Sequence, residues 1–289
     1  MTASDTSSAV VGRYAPSPTG ALHLGNLRTA LASWAHARSR GGRFLLRVED
    51  IDTPRVRPGC EQRQLDDLAK LGFDWDDQPL RQSEREADYA LAFEKLLQVN
   101  RVYPCFCSRK DIQLALSAPH RSDNIIGYPG TCRHLSPDAA RDRIQSGDQH
   151  CWRLRVDGSP TLLADEFAGN ILIDLQREGG DFVVRRADGL FAYQLVCAWD
   201  DSTSGITHVL RGEDLLDSAA RQAWLLSTLS MPVPVWLHLP LMNGEDGRRL
   251  SKRDGDADLS AFLSAGYDTT AIRSYLAWTL GQTQRGERI

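Results

Sequence analysis

Three groups of residues in this 289-residue chain have types and spacings that can do chemistry. The first is the run Pro16-Ser17-Pro18-Thr19-Gly20-Ala21-Leu22-His23-Leu24-Gly25-Asn26. Two prolines and Gly20 must end any preceding strand. A rigid turn entering a helix then leaves backbone N–H groups and the positive end of the helix dipole for a phosphate. His23 and Asn26 lie one turn apart and can address the same oxygens, while Gly25 lets a nucleotide approach the backbone. The second group is Arg248-Arg249-Leu250-Ser251-Lys252-Arg253, in a Gly- and Asp-rich stretch. A loop there can carry Lys252 onto phosphates and stabilise charge that builds up in a transition state.

The third group is Cys105, Cys107 and Cys132, three soft ligands within 28 residues and one short of a closed zinc site. His120, His134, Tyr128 or solvent can complete it, and on donor chemistry alone imidazole is favoured over phenolate. A Cys105–Cys107 disulfide would be strained. Cys60, Cys151 and Cys197 read as small apolar packing residues. Each group has a plain structural alternative: a helix-capping His, a solvated basic surface, and unliganded cysteines in an irregular segment.

The elements that must position these residues follow from periodicity. An apolar run at 9–11 leads into the Pro-rich turn; Leu24, Leu27, Leu31 and Trp34 then recur at helical spacing until Gly41-Gly42, and 44–48 suits a buried strand. A strand, helix and strand within about forty residues predict a parallel sheet. Helices are expected at 59–71, 84–99, 137–146 and 218–229, and strands at 152–156, 170–175, 182–184, 191–199, 206–211 and 236–242. The expected organisation is a discontinuous α/β domain of residues 9–104 and 181–253, an insertion of residues 105–180, and a short helical segment of residues 254–289. The first run is not a phosphate-binding Walker loop, because Asn26 stands where that loop needs Lys, and no G-x-G-x-x-G follows the first strand.

Composition excludes disordered and fibrous classes: 42% of residues are hydrophobic and 25% charged. No apolar run approaches the ~20 residues of a membrane span, and the N-terminus lacks the basic start and apolar region of a signal peptide, so a cytoplasmic protein is expected. The net charge of -4 conceals an uneven distribution. Nine Arg and no Lys face four acids between Arg13 and Arg63, which permits an RNA partner on one face. Arg38, Arg40, Arg55 and Arg57 are candidates for phosphate contacts or a solvated face.

The runs P-S-P-T-G-x-L-H-L-G-N and R-L-S-K-R resemble the two signature motifs of class I aminoacyl-tRNA synthetases. With Arg13-Tyr14-Ala15-Pro16 and Arg47-Val48-Glu49-Asp50-Ile51-Asp52, the chain is similar to the glutamyl branch of that class. The resemblance extends from Gly12 to about Arg253 and implies a Rossmann-like parallel core. Only 36 residues follow Arg253, and the branch's large helical anticodon reader has no counterpart among them. The pattern therefore resembles shortened members of the branch, the glutamyl-queuosine tRNA(Asp) synthetases. Cys-x-Cys followed by Tyr128-Pro129-Gly130-Thr131-Cys132 is similar to their tyrosine-containing zinc site, which implies Cys105, Cys107, Tyr128 and Cys132 as ligands of one structural Zn²⁺.

The resemblance further implies ATP contacts at His23, Gly25, Asn26, Ser251 and Lys252, with His23, Asn26 and Lys252 catalytic and Mg²⁺ accompanying ATP. It implies an L-glutamate pocket from Arg13, Tyr14, Ala15, Pro16, Ser17, Glu49, Tyr193 and Arg211. The expected reaction is activation of glutamate with ATP, without tRNA, and transfer to the queuosine base of tRNA(Asp). A monomer is expected. The alternatives are charging of the tRNA acceptor end and a noncatalytic RNA-binding paralogue.

Overall fold

The computed structural model describes residues 9–116, 127–158, 160–242, 258–284 and 287. The chain opens with β1 (Val11–Tyr14), α1 (Leu24–Arg38), β2 (Arg43–Val48), α2 (Cys60–Lys70) and β3 (Leu80–Arg81). It continues through α3 (Glu86–Gln98), β4 (Val102–Cys105), α4 (Arg109–Leu116), α5 (Pro137–Gln145), β5 (Cys151–Leu154), β6 (Thr161–Asp165) and β7 (Gly169–Ile173). Then come α6 (Leu175–Glu178), β8 (Phe182–Arg185), α7 (Tyr193–Thr203), β9 (His208–Gly212), α8 (Leu216–Thr228), β10 (Val235–Leu239), α9 (Leu259–Ser264) and α10 (Thr269–Thr279). Among the described residues no helix is long and apolar enough to cross a membrane.

These elements form two compact units. The first comprises residues 1–84, 205–215 and 235–289. Its strands are parallel: β2 pairs with β1 and β3, and β10 pairs with β9. Thr207, just before β9, donates its N–H to the Val11 carbonyl and so sets β9 beside β1. Gly42 allows β2 to start directly against β1, because a Cβ there would lie 2.2 Å from the Val10 carbonyl oxygen. Leu27, Ala30 and Leu31 of α1 are buried with Phe44 and Leu46 of β2, Leu68 of α2, and Ile272, Leu276 and Ala277 of α10. The last helices thus complete the core that α1 needs instead of forming a separate appendage.

The second unit comprises residues 85–204 and 216–234. β4, β5 and β8 make an antiparallel sheet, and β6 and β7 an antiparallel hairpin. Two buried carboxylates tie its helices and strands together. Asp200 of α7 accepts from the Tyr89 hydroxyl and Arg85 Nε, each at 2.9 Å, and Asp181 accepts from Tyr103, Arg133 and the Val156 N–H. The boundaries differ from the sequence expectation. Residues 85–104 and most of 181–234 share a unit with the described part of 105–180, and 258–284 belong with the first strands.

One expected strand is a helix. The apolar run 191–199 has no turn inside it and reads equally well at either period, but Gln194, Leu195 and Ala198 favour a helix, and α7 forms from Tyr193. Its buried face spans Leu195–Asp201. The short α4 and β6 were not anticipated, because neither has enough residues to show a period.

Candidate active site

The start of α1 is a reciprocal cap. His23 Nδ1 accepts from the N–H groups of Gly25 at 3.1 Å and Asn26 at 3.4 Å, while Asn26 Oδ1 accepts from the His23 N–H at 3.3 Å. This corrects the expectation that those two N–H groups face a phosphate unengaged. An imidazole that accepts at Nδ1 carries its proton on Nε2, so the cap itself turns His23 into an Nε2–H donor. The first turn of α1 holds no acid, which leaves the dipole's positive end compatible with an anion. Gly25 is needed for the ring to lie here: a Cβ would stand 3.0 Å from His23 Cε1. Gly25→Ala is therefore expected to shift the ring and weaken the cap, a loss of up to about 1 kcal/mol that the better helix propensity of Ala offsets in part, read in a thermal melt. An unchanged melt and an unchanged adenylation rate together would contradict it.

The loop before this helix is pinned from three sides. Gln64 of α2, almost fully buried, donates to the carbonyls of Ser17 at 3.1 Å and Gly20 at 2.6 Å. The Pro16 carbonyl accepts from the Glu49 N–H and the Pro18 carbonyl from the Arg57 N–H. Pro16 and Glu49 thereby meet in the first unit, close enough to Tyr14 for the charge of Glu49 to act on it, with Ala15 and Ser17 half-buried beside them. Arg13 is buried on β1 and reaches the Leu210 carbonyl. Burial, then the charge of Glu49, pushes the Tyr14 hydroxyl far above its ordinary range, so it stays protonated.

Glu49 is paired with Arg47 at 3.0 Å, both largely buried. The resemblance implies Glu49 as a glutamate-pocket residue but does not include its partner Arg47. An ammonium arriving there would share the carboxylate. Arg211 is buried on β9, with Nε donating to His238 Nε2 at 3.1 Å and Nη2 to the Leu215 carbonyl at 3.0 Å. Tyr193 is carried by the second unit, at the first position of α7, and is 37% exposed; it does not end a strand.

Ser251 and Lys252 lie outside the described residues. Both stems of their segment do not. Met242 stands 3.9 Å from the Cβ position of Gly25, and Asp258 forms a backbone bridge with His23. Asp258 also caps α9 and pairs with Arg63 of α2, interactions that outweigh its burial and hold its carboxyl below the usual range. The segment 243–257 therefore leaves and returns at the α1 N-terminus.

In the second unit, the Sγ atoms of Cys105, Cys107 and Cys132 lie within 4.8 Å of one another. The Tyr128 hydroxyl is 3.3 Å from Cys105 Sγ, 4.0 Å from Cys107 Sγ and 2.8 Å from the Cys132 N–H. Zn–S bonds of about 2.3 Å give sulfur–sulfur edges of roughly 3.8 Å in a tetrahedron, so the 3.6 Å between Cys107 and Cys132 suits the metal. His134 is not in the cluster, and His120 lies outside the described residues. Cys151 needs correction: it faces Cys105 across the β4–β5 ladder and hydrogen-bonds to it. That bond, with Tyr128, lowers the Cys105 thiol to about 4, whereas burial pushes Cys107 up to about 12. A bound dication would let all three thiols ionise together. The donor set fits zinc, and Cys105→Ser is expected to lower the zinc content of the purified protein several-fold. Full retention would contradict zinc ligation by Cys105.

Of the four surface arginines, Arg38 is engaged by Asp74 and Asp76, and Arg55 lies 3.8 Å from Asp52. Arg38 thus fastens α1 to the 74–76 turn.

A family model for tRNA synthetases class I (E and Q), catalytic domain, matches residues 9–288. The glutamyl-Q tRNA(Asp) synthetase of Symbiobacterium thermophilum is 45% identical over 96% of this chain and 88% of its own length, and that of Nocardia farcinica 45% identical over 96% and 86%. The crystal structure of a glutamate tRNA ligase from Elizabethkingia meningosepticum, in complex with its amino acid, superposes with a TM-score of 0.81 at 28% identity. It covers 93% of this chain, which spans only 60% of that protein. A glutamate-tRNA synthetase from Elizabethkingia anophelis gives 0.75 at 30% identity, over 86% of this chain and 53% of its own. Motif order, parallel core and capped helix start agree with this kinship, and the chain belongs to the class I tRNA synthetases of the E and Q branch, as a ligase of the glutamyl-Q tRNA(Asp) synthetase type.

Proposed function

We propose that the chain activates L-glutamate with ATP, without tRNA, and transfers the glutamyl group to the queuosine base in the anticodon of tRNA(Asp). The observation that carries the reading is the convergence at the start of α1 of His23 and Asn26 with both stems of the segment bearing Lys252. The names of the 45% identical relatives supply the substrate class.

An oxygen of the glutamate α-carboxylate attacks the α-phosphorus of ATP, and pyrophosphate leaves. Arg13 and Arg211 hold carboxylates, Glu49 the ammonium, and Tyr14 and Ser17 supply hydroxyls. His23 Nε2–H, the Asn26 amide and Lys252 face the phosphates, with Mg²⁺ accompanying ATP, so catalysis is mostly positioning and charge stabilisation. A hydroxyl of queuosine then attacks the activated carbonyl and AMP leaves. Cys105, Cys107, Tyr128 and Cys132 would hold a structural zinc, which would tie β4 to the 128–132 turn. The protein acts in the cytoplasm, as a monomer.

Labelled glutamate, ATP and total tRNA prepared with and without queuosine test this reading. Label on RNA only in the queuosine preparation supports it. Label on both preparations indicates acceptor-end charging, and no adenylate or labelled tRNA indicates a binding protein; either result overturns the proposal.

A further inference from the structure

Among the described residues, three groups of the first unit hold the Arg211 guanidinium. Its Nε donates to His238 Nε2 at 3.1 Å, Nη2 donates to the Leu215 carbonyl at 3.0 Å, and its Cζ lies 4.8 Å from the centre of the Trp236 ring. His238 is the register partner of Arg211 on the neighbouring parallel strand, and Trp236 lies two residues before it on the same face of β10. The His238 and Trp236 rings stack, 6.1 Å apart and inclined by 16°. All three side chains are at most 5% exposed.

A guanidinium rotates about a flexible stem, and a fork that must meet a carboxylate in two parallel hydrogen bonds needs its plane fixed. The Trp236 ring beneath Cζ limits how far the plane can tilt. The His238 contact sets the rotation within it, because Nε lies at the base of the fork. Accepting at Nε2 requires a neutral imidazole protonated at Nδ1, since a second cation would repel the guanidinium.

We propose that His238 is a positioning residue of the amino-acid pocket: it fixes the Arg211 guanidinium for a substrate carboxylate. This rests on the assignment of Arg211 to glutamate. His238→Gln places an amide oxygen near the position of Nε2, whereas His238→Leu keeps the bulk and removes the acceptor.

Glutamate-dependent pyrophosphate exchange, with glutamate and ATP varied in turn, tests the proposal. His238→Leu is expected to raise the KM for glutamate about tenfold, as for one buried hydrogen bond, with the KM for ATP within twofold of the native value. His238→Gln restores most of the loss, and both variants retain the native circular dichroism. An unchanged glutamate KM, or equal rises in both KM values, overturns the proposal. Arg211→Ala separates the two readings. If it leaves the glutamate KM unchanged, the assignment of Arg211 fails; if it raises that KM and His238→Leu does not, only the role of His238 fails.

Discussion

Replacing Lys252 by Ala slows glutamyl adenylate formation by about 10²- to 10³-fold, the usual cost of removing one preorganised charge from a developing oxyanion. Both described stems of its segment stand beside the start of α1. Asp258 is bridged to His23 and paired with Arg63 on α2, and Met242 sits beside Gly25. Lys252 belongs to the segment between these two stems and lies outside the described residues, so the assignment of its charge to the phosphates is the one proposed above. Negative charge accumulates on the phosphate oxygens only as pyrophosphate departs, so the loss falls on kcat and leaves the KM for glutamate near its native value. Single-turnover adenylate formation in a quench-flow experiment reads this directly. A rate within twofold of native would remove Lys252 from the reacting site, whereas a large rise in the glutamate KM at constant kcat would move its role to ground-state binding.

What the sequence reveals here is local. His23, Gly25 and Asn26 lie within four residues, so one helical turn decides their geometry, and spacing alone suffices to pair them. Cys105, Cys107 and Cys132 are legible for a similar reason: two belong to one strand end, and soft ligands at short separations have few other uses. The supports of these groups come from far along the chain. Gln64 holds the Ser17 and Gly20 carbonyls, Arg63 holds Asp258 across 195 residues, and His238 meets Arg211 only because β9 and β10 pair in parallel register. No periodicity encodes such meetings.

Two misreadings have the same physical origin. The run 191–199 holds one strongly polar residue, Gln194, too few to give a period that separates helix from strand, and α7 is buried throughout Leu195–Asp201. Cys151 was read as packing because it has no cysteine near it in sequence. Antiparallel pairing of β4 with β5 supplies one, Cys105.

The cysteine cluster depends on a carboxylate that carries no metal-site signature, and the second large effect is expected there. Asp181 is 3% exposed and accepts from the Tyr103 hydroxyl at 2.5 Å, the Val156 N–H at 2.7 Å and Arg133 Nη1, while its own carbonyl accepts from Arg153 at 2.9 Å. It thus joins β4 to the residue after Cys132 and to the segment leaving β5. Burial, then this bond to Asp181, pushes the Tyr103 hydroxyl well above its ordinary range, so Tyr103 remains a donor at any physiological pH. Asp181→Leu leaves a buried hydroxyl and a buried N–H without their acceptor and strips Arg133 of its buried anion, which costs about 3–5 kcal/mol. Asp181→Asn keeps one acceptor oxygen but sets an NH2 donor against the other partners, and costs about 1–3 kcal/mol. Urea unfolding followed by hydrogen exchange in β4 and β5 gives both values. Because Arg133 adjoins Cys132, zinc should leave Asp181→Leu faster under chelator challenge than it leaves the native protein. A loss below about 1 kcal/mol for the Leu variant would mean that water replaces the carboxylate at little cost, and that the cluster's geometry is held by the β4–β5 ladder alone.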